Sequence, residues 1–292
     1  MNTCQIFPIV VLYKTKISES KTINSILLNE DLLAYVKEIY VYDNSPVAQK
    51  PEKLDRPITI HYVSDPSNPG VSKAYNEGVK VGKSLGYEWV QFFDQDTQVP
   101  ADFFKKLAES MVVHKTIRLF APVLISGDTI ISPYRFLLKR GTSPRAYANS
   151  EAYKIGLNKL ETSGPVNSGI AVHVAGFLAC GGYNEKIELD FSDFYFIEQF
   201  KRRSSEEFVV FDAICKHSIS VQENTTLEAA YSRYRYYLSG SAEYETLFDS
   251  VLDRFIVRLN LVYWTLRLSL RFRSSSFFRL LWYSGMKPAK SA

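Results

Sequence analysis

The first half of the chain alternates short apolar runs with longer amphipathic stretches. Compact runs rich in β-branched and aromatic residues predict strands at residues 9–13, 38–42, 58–63, 89–93 and 119–123. The longer stretches between them predict helices at about residues 20–35, 70–82 and 101–113. Strands and helices in this alternation are typical of an α/β fold with a mostly parallel sheet and helices on both faces.

The second half of the chain is less regular. Residues 126–165 mix Gly, Pro, Ser and Arg, which leaves a hairpin or an ordered excursion open. A glycine-rich stretch over residues 167–182 precedes a predicted helix near 193–203, and residues 209–211 predict one more strand. From about Glu228 the pattern is helical and rich in Tyr, Leu and Arg.

Carboxylates follow two of the predicted strands directly. Asp43 ends the second strand, and Asp94 and Asp96 leave the fourth. In parallel sheets ligands bind beyond the carboxyl ends of the strands, and two carboxylates at such a turn suit a hard cation such as Mg²⁺ or Mn²⁺. The alternative is a polar turn in which an Asp caps the next helix.

The charge of the chain is distributed unevenly. The net charge of +4 combines eight basic residues and no acidic residue after position 253 with a net charge of −4 on residues 1–253. A basic end of this kind binds phosphate, in nucleic acid or in anionic lipid. The composition, with 46% hydrophobic and 23% charged residues, is that of a globular protein.

The cysteines and the first apolar run indicate a cytoplasmic protein. Cys4, Cys180 and Cys215 form no CxxC pair, which excludes the usual zinc or disulfide patterns and suits a reducing compartment. Residues 6–13 are interrupted by Pro8 and lack a basic flank, so they predict a buried strand and no signal peptide.

Four segments occur in an order and spacing that resemble family 2 glycosyltransferases with the GT-A fold. They are residues 9–14, 43–46, 68–78 and 93–97. The Asp-Gln-Asp-Thr form of the last segment, followed by Asn167-Ser-Gly169, is most similar to the rhamnosyltransferase branch. The resemblance covers roughly residues 6–220.

The resemblance implies an inverting, metal-dependent transferase. The donor it implies is a nucleotide sugar, with dTDP-L-rhamnose as the first choice and galactofuranose or another hexose left open. The implied acceptor is a saccharide or a lipid-linked glycan of a bacterial surface polysaccharide, O-antigen or capsule. The catalytic domain would span residues 1–225, with the donor side over about 1–125 and the acceptor side over about 126–225. Residues 226–292 would form a basic, helical extension.

The family's functional residues map onto this sequence as follows. The resemblance assigns donor contacts to Asp43, Asn68, Gly70, Lys73, Asn76 and Asp94. It assigns metal ligands to Asp94, Asp96 and His217. Simpler interpretations stay open: an Asx turn at Asp43, ordinary helix packing at Lys73 and a structural histidine at 217.

A carboxylate is needed as the base if the anomeric configuration inverts. Asp193 best matches the family's base, and Asp190 is its close rival. The alternative for each is a helix cap or a surface carboxylate. Tyr195 and Phe196 depart from the acidic–Trp pair that is common in the family, which leaves the acceptor type open.

Other functions fit the sequence less well. A nucleotidyltransferase needs a glycine-rich basic loop after the first strand, and residues 13–18 contain no glycine. A protein that only binds nucleotide sugars is the other alternative. The basic tail shows no zinc, homeodomain or RNP pattern, so nucleic acid is not expected as a partner.

The basic tail instead predicts a helix that lies on the inner face of the cytoplasmic membrane. Arg258, Asn260 and Arg267 interrupt its apolar run, so it is a poor spanning helix. Phe255, Leu259, Val262 and Leu266 form one apolar stripe, to which the aromatic and Leu residues of 277–282 add. The alternative is packing on the catalytic domain or on a second subunit of a homo-oligomer.

Overall fold

The computed structural model describes residues 4–50, 56–135, 154–218 and 226–285. The basic residues Lys287 and Lys290 of the predicted tail lie outside them. The strands are β1 (Ile6–Leu12), β2 (Glu38–Asp43), β3 (Thr59–Ser64), β4 (Trp89–Asp94), β5 (Thr97–Gln98), β6 (Leu119–Ser126), β7 (Thr129–Ser132), β8 (Tyr134–Arg135), β9 (Gly156–Lys159), β10 (Ser163–Gly164), β11 (Ala171–His173) and β12 (Glu207–His217).

Helices connect these strands and complete the C-terminal part. They are α1 (Lys21–Leu27), α2 (Leu32–Tyr35), α3 (Val71–Ser84), α4 (Phe103–Val113), α5 (Val174–Cys180), α6 (Ser192–Arg203), α7 (Leu227–Glu245), α8 (Val251–Phe272) and α9 (Ser276–Gly285), with a 3₁₀ turn at Ile17–Glu19. The predicted α/β class is confirmed.

The main sheet has the strand order β3-β2-β1-β4-β11-β6-β12-β5. The first four strands are parallel, and β6 is parallel to β12. The short strand β11 separates the two groups and runs antiparallel to both of its neighbours. The sheet is thus mostly parallel, as predicted, with one antiparallel insertion at its centre.

The two faces of the sheet bury two separate apolar clusters. Along β1 the side chains alternate between them: Val10 and Leu12 pack in one cluster, and Ile9 and Val11 in the other. This alternation is the period-2 geometry of a strand, and burial on both faces explains why β1 reads as one continuous apolar run.

Two elements differ from their predicted bounds. The helix predicted over residues 20–35 is two short helices, because Asp31 adopts a left-handed conformation (φ 50°) and breaks it between α1 and α2. The strand predicted over residues 209–211 is the eleven-residue β12, which continues to His217 because it pairs with β6, β9 and β5.

The C-terminal helices pack on one another through α7. Tyr234 and Leu238 of α7 form a cluster with Phe277 of α9, and the Tyr234 hydroxyl is hydrogen-bonded to Thr265 of α8. Phe277 is therefore buried and does not extend the exposed apolar stripe, which corrects the prediction for this residue. Within the described residues, no helix combines the length and apolar composition that crossing a bilayer requires.

Close backbone contact at Gly70 leads to a stability prediction. Gly70 has φ 94°, and a Cβ atom there would lie 2.2 Å from the Glu188 carbonyl oxygen. We expect Gly70→Ala to lower the free energy of unfolding by about 2–4 kcal/mol, from backbone strain and overpacking together. Gly86→Ala is the matched control, because Gly86 has φ 86° and open space around it. Urea unfolding of both variants makes the comparison, and equal losses would contradict the contact.

Candidate active site

The first candidate, Asp43, is fully buried and hydrogen-bonded at the end of β2. Its carboxylate accepts hydrogen bonds from the Ser45 amide (2.9 Å), the Gln49 side-chain amide (2.7 Å) and the Tyr62 hydroxyl (2.8 Å). Burial raises the pKa of Asp43, but these hydrogen bonds outweigh it and hold the pKa below its ordinary value. Asp43 is thus an ionised Asx-turn residue, and its donor contact stays a prediction.

The register of the sheet places Asp43 and Asp94 side by side. Asp43 pairs with Leu12 of β1, and Asp94 pairs with Val11 of the same strand. The two carboxylates therefore flank the carboxyl end of β1 on its two sides. This is the edge of the sheet where α/β proteins bind ligands.

Three predicted donor contacts lie where the chain enters α3. Asn68 has φ 50° and Gly70 is the residue before the helix. Lys73 forms a salt bridge with Asp65 (3.2 Å), and the first amide of α3, that of Val71, donates to the carbonyl of Glu188 (2.8 Å). These residues join α3 to the segment around Glu188, and their contact with a donor stays a prediction.

Asn76, the next predicted donor contact, ties α3 to a loop. Its side-chain oxygen accepts from the Tyr183 amide (3.0 Å), and its side-chain nitrogen donates to the Tyr183 carbonyl (3.0 Å) and to Glu185 (2.9 Å). The amide group is thus occupied by the protein itself. In the structure, Asn76 holds the loop after Gly182 against α3.

Asp94 is positioned by two groups outside its own strand. Its backbone amide donates a hydrogen bond to the Ser168 hydroxyl oxygen (3.0 Å), and its carboxylate accepts one from the buried Tyr75 hydroxyl (3.0 Å). Burial, and then the charge of Asp94, raises the pKa of Tyr75 well above its ordinary value, so Tyr75 is a neutral donor. Asp94 is therefore held in place through both its backbone and its carboxylate.

Asp96 and His217 meet because β5 pairs with the end of β12. The imidazole Nδ1 of His217 lies 2.8 Å from the Thr97 hydroxyl and 3.6 Å from the Asp96 carboxylate. Burial raises the pKa of Asp96, the nearby His217 lowers it and the charge of Asp94 raises it, with a net increase. The structure thus brings together a carboxylate and an imidazole that are 121 positions apart.

The donor set suits a divalent cation in its chemistry. Across the described ranges, no three His, Cys, Asp or Glu side chains form a group that could hold a metal, and Asp94 is directed to Tyr75. Yet Asp94 and Asp96 are two acids close enough for one charge to raise the pKa of the other. Such excess negative charge is what a hard cation balances, so these residues fit one.

A cavity of about 730 Å³ opens beside Asp96 and His217. It is lined with both signs of charge, by Lys21, Lys216 and Asp128 among others. The charge of Lys21 also lowers the pKa of Asp96. The cavity can therefore accept a polar, charged ligand next to these two residues.

Asp193, in the first turn of α6, has the pKa of a group poised for proton transfer. Burial raises its pKa to about 7; the Phe194 amide (2.9 Å) opposes this, and the charges of Asp190 and Asp94 raise it further. A carboxylate near this pKa can both take and release a proton at neutral pH.

Asp190 has a different environment from Asp193. Arg233 of α7 donates to one of its oxygens at 2.6 Å, and the other oxygen is buried without a hydrogen-bond partner among the described residues. Burial raises the pKa of Asp190 above its ordinary value, and Arg233 opposes this only in part. Asp190 is thus committed to an ion pair, whereas the contacts of the Asp193 carboxylate within the described residues are with backbone amides.

Sequence reasoning missed Tyr75 and Arg233 as residues of this site. Tyr75 lies inside the segment 68–78 that carries the resemblance, so the motif contained a signal for it. Arg233 is one of many arginines in the C-terminal helices, and no sequence signal separates it from the others. Its role is visible only from its contact with Asp190.

The fold and the carboxylates at the end of its parallel strands define an α/β protein of the GT-A type. The fold resembles GalNAc-T7 solved with UDP, GalNAc and Mn²⁺ (TM-score 0.57, 14% identity, 89% of this chain and 55% of that one). It also resembles S. aureus TarS 1–349 in complex with UDP-GlcNAc (TM-score 0.53, 14% identity, 88% of this chain and 71% of that one).

Residues 20–158 match the model of glycosyl transferase family 2, the family that the sequence motifs resemble. The chain is 26% identical over 193 residues to the dTDP-rhamnosyl transferase RfbF of Shigella flexneri. That similarity covers 64% of this chain and 60% of the length of the Shigella protein.

The raised pKa of Asp193 predicts a specific dependence of stability on pH. Because its pKa is about 7 in the folded state and about 3.9 when unfolded, the folded protein holds the extra proton between these values. Stability should therefore fall as the pH rises from about 4 to 7. We expect the fall in the free energy of unfolding over this range to be about 1–3 kcal/mol smaller in Asp193→Asn.

Urea unfolding at pH 4, 6 and 8 measures this effect. The control is Asp212→Asn, which changes an exposed carboxyl on β12. A loss of stability with pH that is as steep in Asp193→Asn as in the unchanged protein would contradict the assignment.

Proposed function

We propose that this protein is an inverting glycosyltransferase that moves a sugar from a nucleotide-sugar donor to a hydroxyl of a saccharide acceptor. The observation that carries the proposal is the environment of Asp193. Its carboxylate has a pKa of about 7, which the charge of Asp94 at the end of β4 helps to raise. A proton acceptor and the donor-binding edge of a family 2 fold thus share one site.

Direct displacement accounts for the roles of these residues. The acceptor hydroxyl loses its proton to the Asp193 carboxylate while its oxygen attacks the anomeric carbon. The bond from that carbon to the diphosphate oxygen breaks, and the nucleoside diphosphate leaves. A positioned base contributes about 10²–10⁴-fold to such a step.

Asp193 is a better candidate for the base than Asp190. The Asp190 carboxylate is paired with Arg233, which occupies one of its oxygens and opposes its protonation. Asp193 has no such cation among the described contacts of its carboxylate, and its pKa lies near neutrality. We assign Asp190 to the support of the base.

The donor side of the site would be formed by the residues between β2 and α3. We assign contact with the nucleoside to Asp43. We assign contact with the neighbouring parts of the donor to the residues at the start of α3. The complete set of donor contacts that we propose is Asp43, Asn68, Gly70, Lys73, Asn76 and Asp94. Because Glu188 and Asp65 already engage this region, donor binding must exchange or extend their contacts.

A divalent cation, Mg²⁺ or Mn²⁺, would be held by Asp94, Asp96 and His217. When bound, it neutralises the charge that develops on the departing diphosphate, which is worth several kcal/mol. The chain's own contribution is the orientation of its ligands: Thr97 fixes the His217 ring, and Ser168 fixes the backbone of Asp94.

We propose dTDP-L-rhamnose as the donor, because the Shigella relative is a dTDP-rhamnosyl transferase. A galactofuranosyl donor, another hexosyl donor or a protein that only binds nucleotide sugars are the other outcomes of the test below. The acceptor we propose is a saccharide or polyprenyl-linked glycan of a surface polysaccharide, O-antigen or capsule.

A lipid-linked acceptor requires the protein to work at a membrane surface. The apolar stripe of α8 faces outward, with 59% exposure at Phe255, 55% at Leu259, 41% at Val262 and 46% at Leu266. An outward apolar stripe does not pack on the catalytic domain. With the arginines of α8 and α9 around it, it suits an anionic lipid surface, so we propose peripheral attachment to the inner face of the cytoplasmic membrane.

A panel of nucleotide sugars with Mg²⁺ or Mn²⁺ tests the reaction through release of the nucleoside diphosphate. We expect the highest rate with dTDP-L-rhamnose and loss of turnover in excess chelator. Asp193→Asn should lower the rate about 10²–10⁴-fold and leave donor binding within a few-fold, because only proton affinity is lost.

Each alternative gives its own result in this panel. Turnover that survives the chelator would exclude the metal role. A large loss in Asp190→Asn together with normal turnover in Asp193→Asn would exchange the two acids. Tight binding of a nucleotide sugar without release from any donor would indicate a binding protein.

Flotation with vesicles tests the membrane surface. We expect the full chain to float with anionic vesicles and not with neutral ones at low salt, and the paired change Leu259→Glu/Leu266→Glu to abolish this, since it places two charges in the stripe. The matched control is Val112→Glu/Val113→Glu, which alters exposed residues at the end of α4. A full chain that ignores anionic vesicles and dimerises through α8 would make the stripe a subunit interface.

A further inference from the structure

The segment just before Asp193 is held against α7 by three contacts of different kinds. Arg233 forms the salt bridge with Asp190 (2.6 Å). A Cβ atom at Gly240 would lie 2.1 Å from the Asp190 carbonyl oxygen, so only glycine permits this approach of helix and segment. The ring of Tyr237 packs edge-on against Phe191, with 4.8 Å between ring centroids.

Asp190 depends on Arg233 for its charge. Within the part of the chain that the structure describes, its second carboxylate oxygen is buried without a hydrogen-bond partner, and burial raises the pKa of the group. A buried carboxylate without its counter-ion becomes protonated instead of staying charged. Arg233 is therefore the group that opposes the protonation of Asp190.

The charge of Asp190 acts on Asp193, which lies three positions later in the chain. The charged and titratable groups that act on Asp193 are Asp190 in the same segment, Asp94 of β4, and the buried phenols Tyr75 of α3, Tyr134 of β8 and Tyr183. The two acids favour the protonated form of Asp193. Of these groups, Asp190 alone is paired with a cation from the C-terminal helices.

We propose that Arg233 is a positioning residue for the catalytic base: through Asp190 it fixes the start of α6 and the negative charge beside Asp193. Helix α7 lies in the part of the chain predicted as an extension. On this proposal it contributes to the acceptor side of the site. The proposal rests on the proposed function only where it calls Asp193 the base.

The loss of Arg233 should have a definite electrostatic consequence. In Arg233→Met, Asp190 takes up a proton, and the negative charge beside Asp193 disappears. The pKa of Asp193 should then fall by about one unit, because a neighbouring like charge had raised it. A weaker base lowers the rate of the chemical step without changing the binding of the donor.

Carbon NMR of protein labelled at the aspartate carboxyl carbons measures this shift in the full chain without substrate. The Asp193 signal is identified by its loss in Asp193→Asn. We expect a lower Asp193 pKa in Arg233→Met, the original value in Arg233→Lys, and no change in the control Arg235→Met, whose side chain is exposed on the same helix. An unchanged Asp193 pKa in folded Arg233→Met would overturn the proposal.

A second variant covers the case in which Arg233→Met fails to fold. Asp190→Asn removes the buried charge directly and should lower the Asp193 pKa by the same amount, and adding Arg233→Met to it should have no further effect. If Asp190→Asn leaves the Asp193 pKa where it was, the proposal is wrong.

Kinetics separate this inference from the proposed function. We expect Arg233→Met to lower kcat about tenfold with the donor KM unchanged, and Arg233→Lys to restore most of it. If the unchanged protein transfers no sugar, the proposed function fails, while the NMR titration still decides whether Arg233 controls Asp193. An increase in donor KM with normal kcat would place Arg233 on the donor side and overturn the positioning role.

Discussion

The candidate active site depends on one constraint: the segment from Gly182 to Asp193 is held between α3 and α7. On the α3 side, Asn76 binds the backbone of Tyr183, and Gly70 allows contact with Glu188. On the α7 side, Gly240 allows equally close contact with Asp190. A glycine just before α3 and a glycine within α7 thus let the backbone of one segment approach both helices, and the segment brings the proposed base, Asp193, to the edge of the sheet.

The same arrangement explains why the base has an altered pKa. Parallel pairing brings Asp94 to the carboxyl edge of the sheet. The segment held between α3 and α7 brings Asp190 and Asp193 to the same region. Several acids are then buried together, and Arg233 balances one of them. The excess negative charge costs stability near neutral pH and gives Asp193 its affinity for a proton.

The sequence was informative wherever the signal was local. Continuous apolar runs predicted β1 and β4 because both faces of those strands are buried, and Asp94 and Asp96 followed directly from the end of β4. The break between α1 and α2 was missed because one residue, Asp31, adopts a left-handed conformation that its sequence context does not announce. The pairing of Arg233 with Asp190 was invisible because 43 positions separate them and tertiary packing alone brings them together.

The C-terminal helices connect the base to the outer surface of the protein. Tyr234 lies one position from Arg233 on α7 and is hydrogen-bonded to Thr265 of α8, the helix that carries the exposed apolar stripe. Any surface that covers the stripe would therefore act on α8, then on α7, and through Arg233 on the segment that carries Asp193. A rigid connection of this kind would let the proposed attachment to a membrane and the orientation of the proposed base be set by one set of packed helices, because helices joined by buried contacts move as a unit.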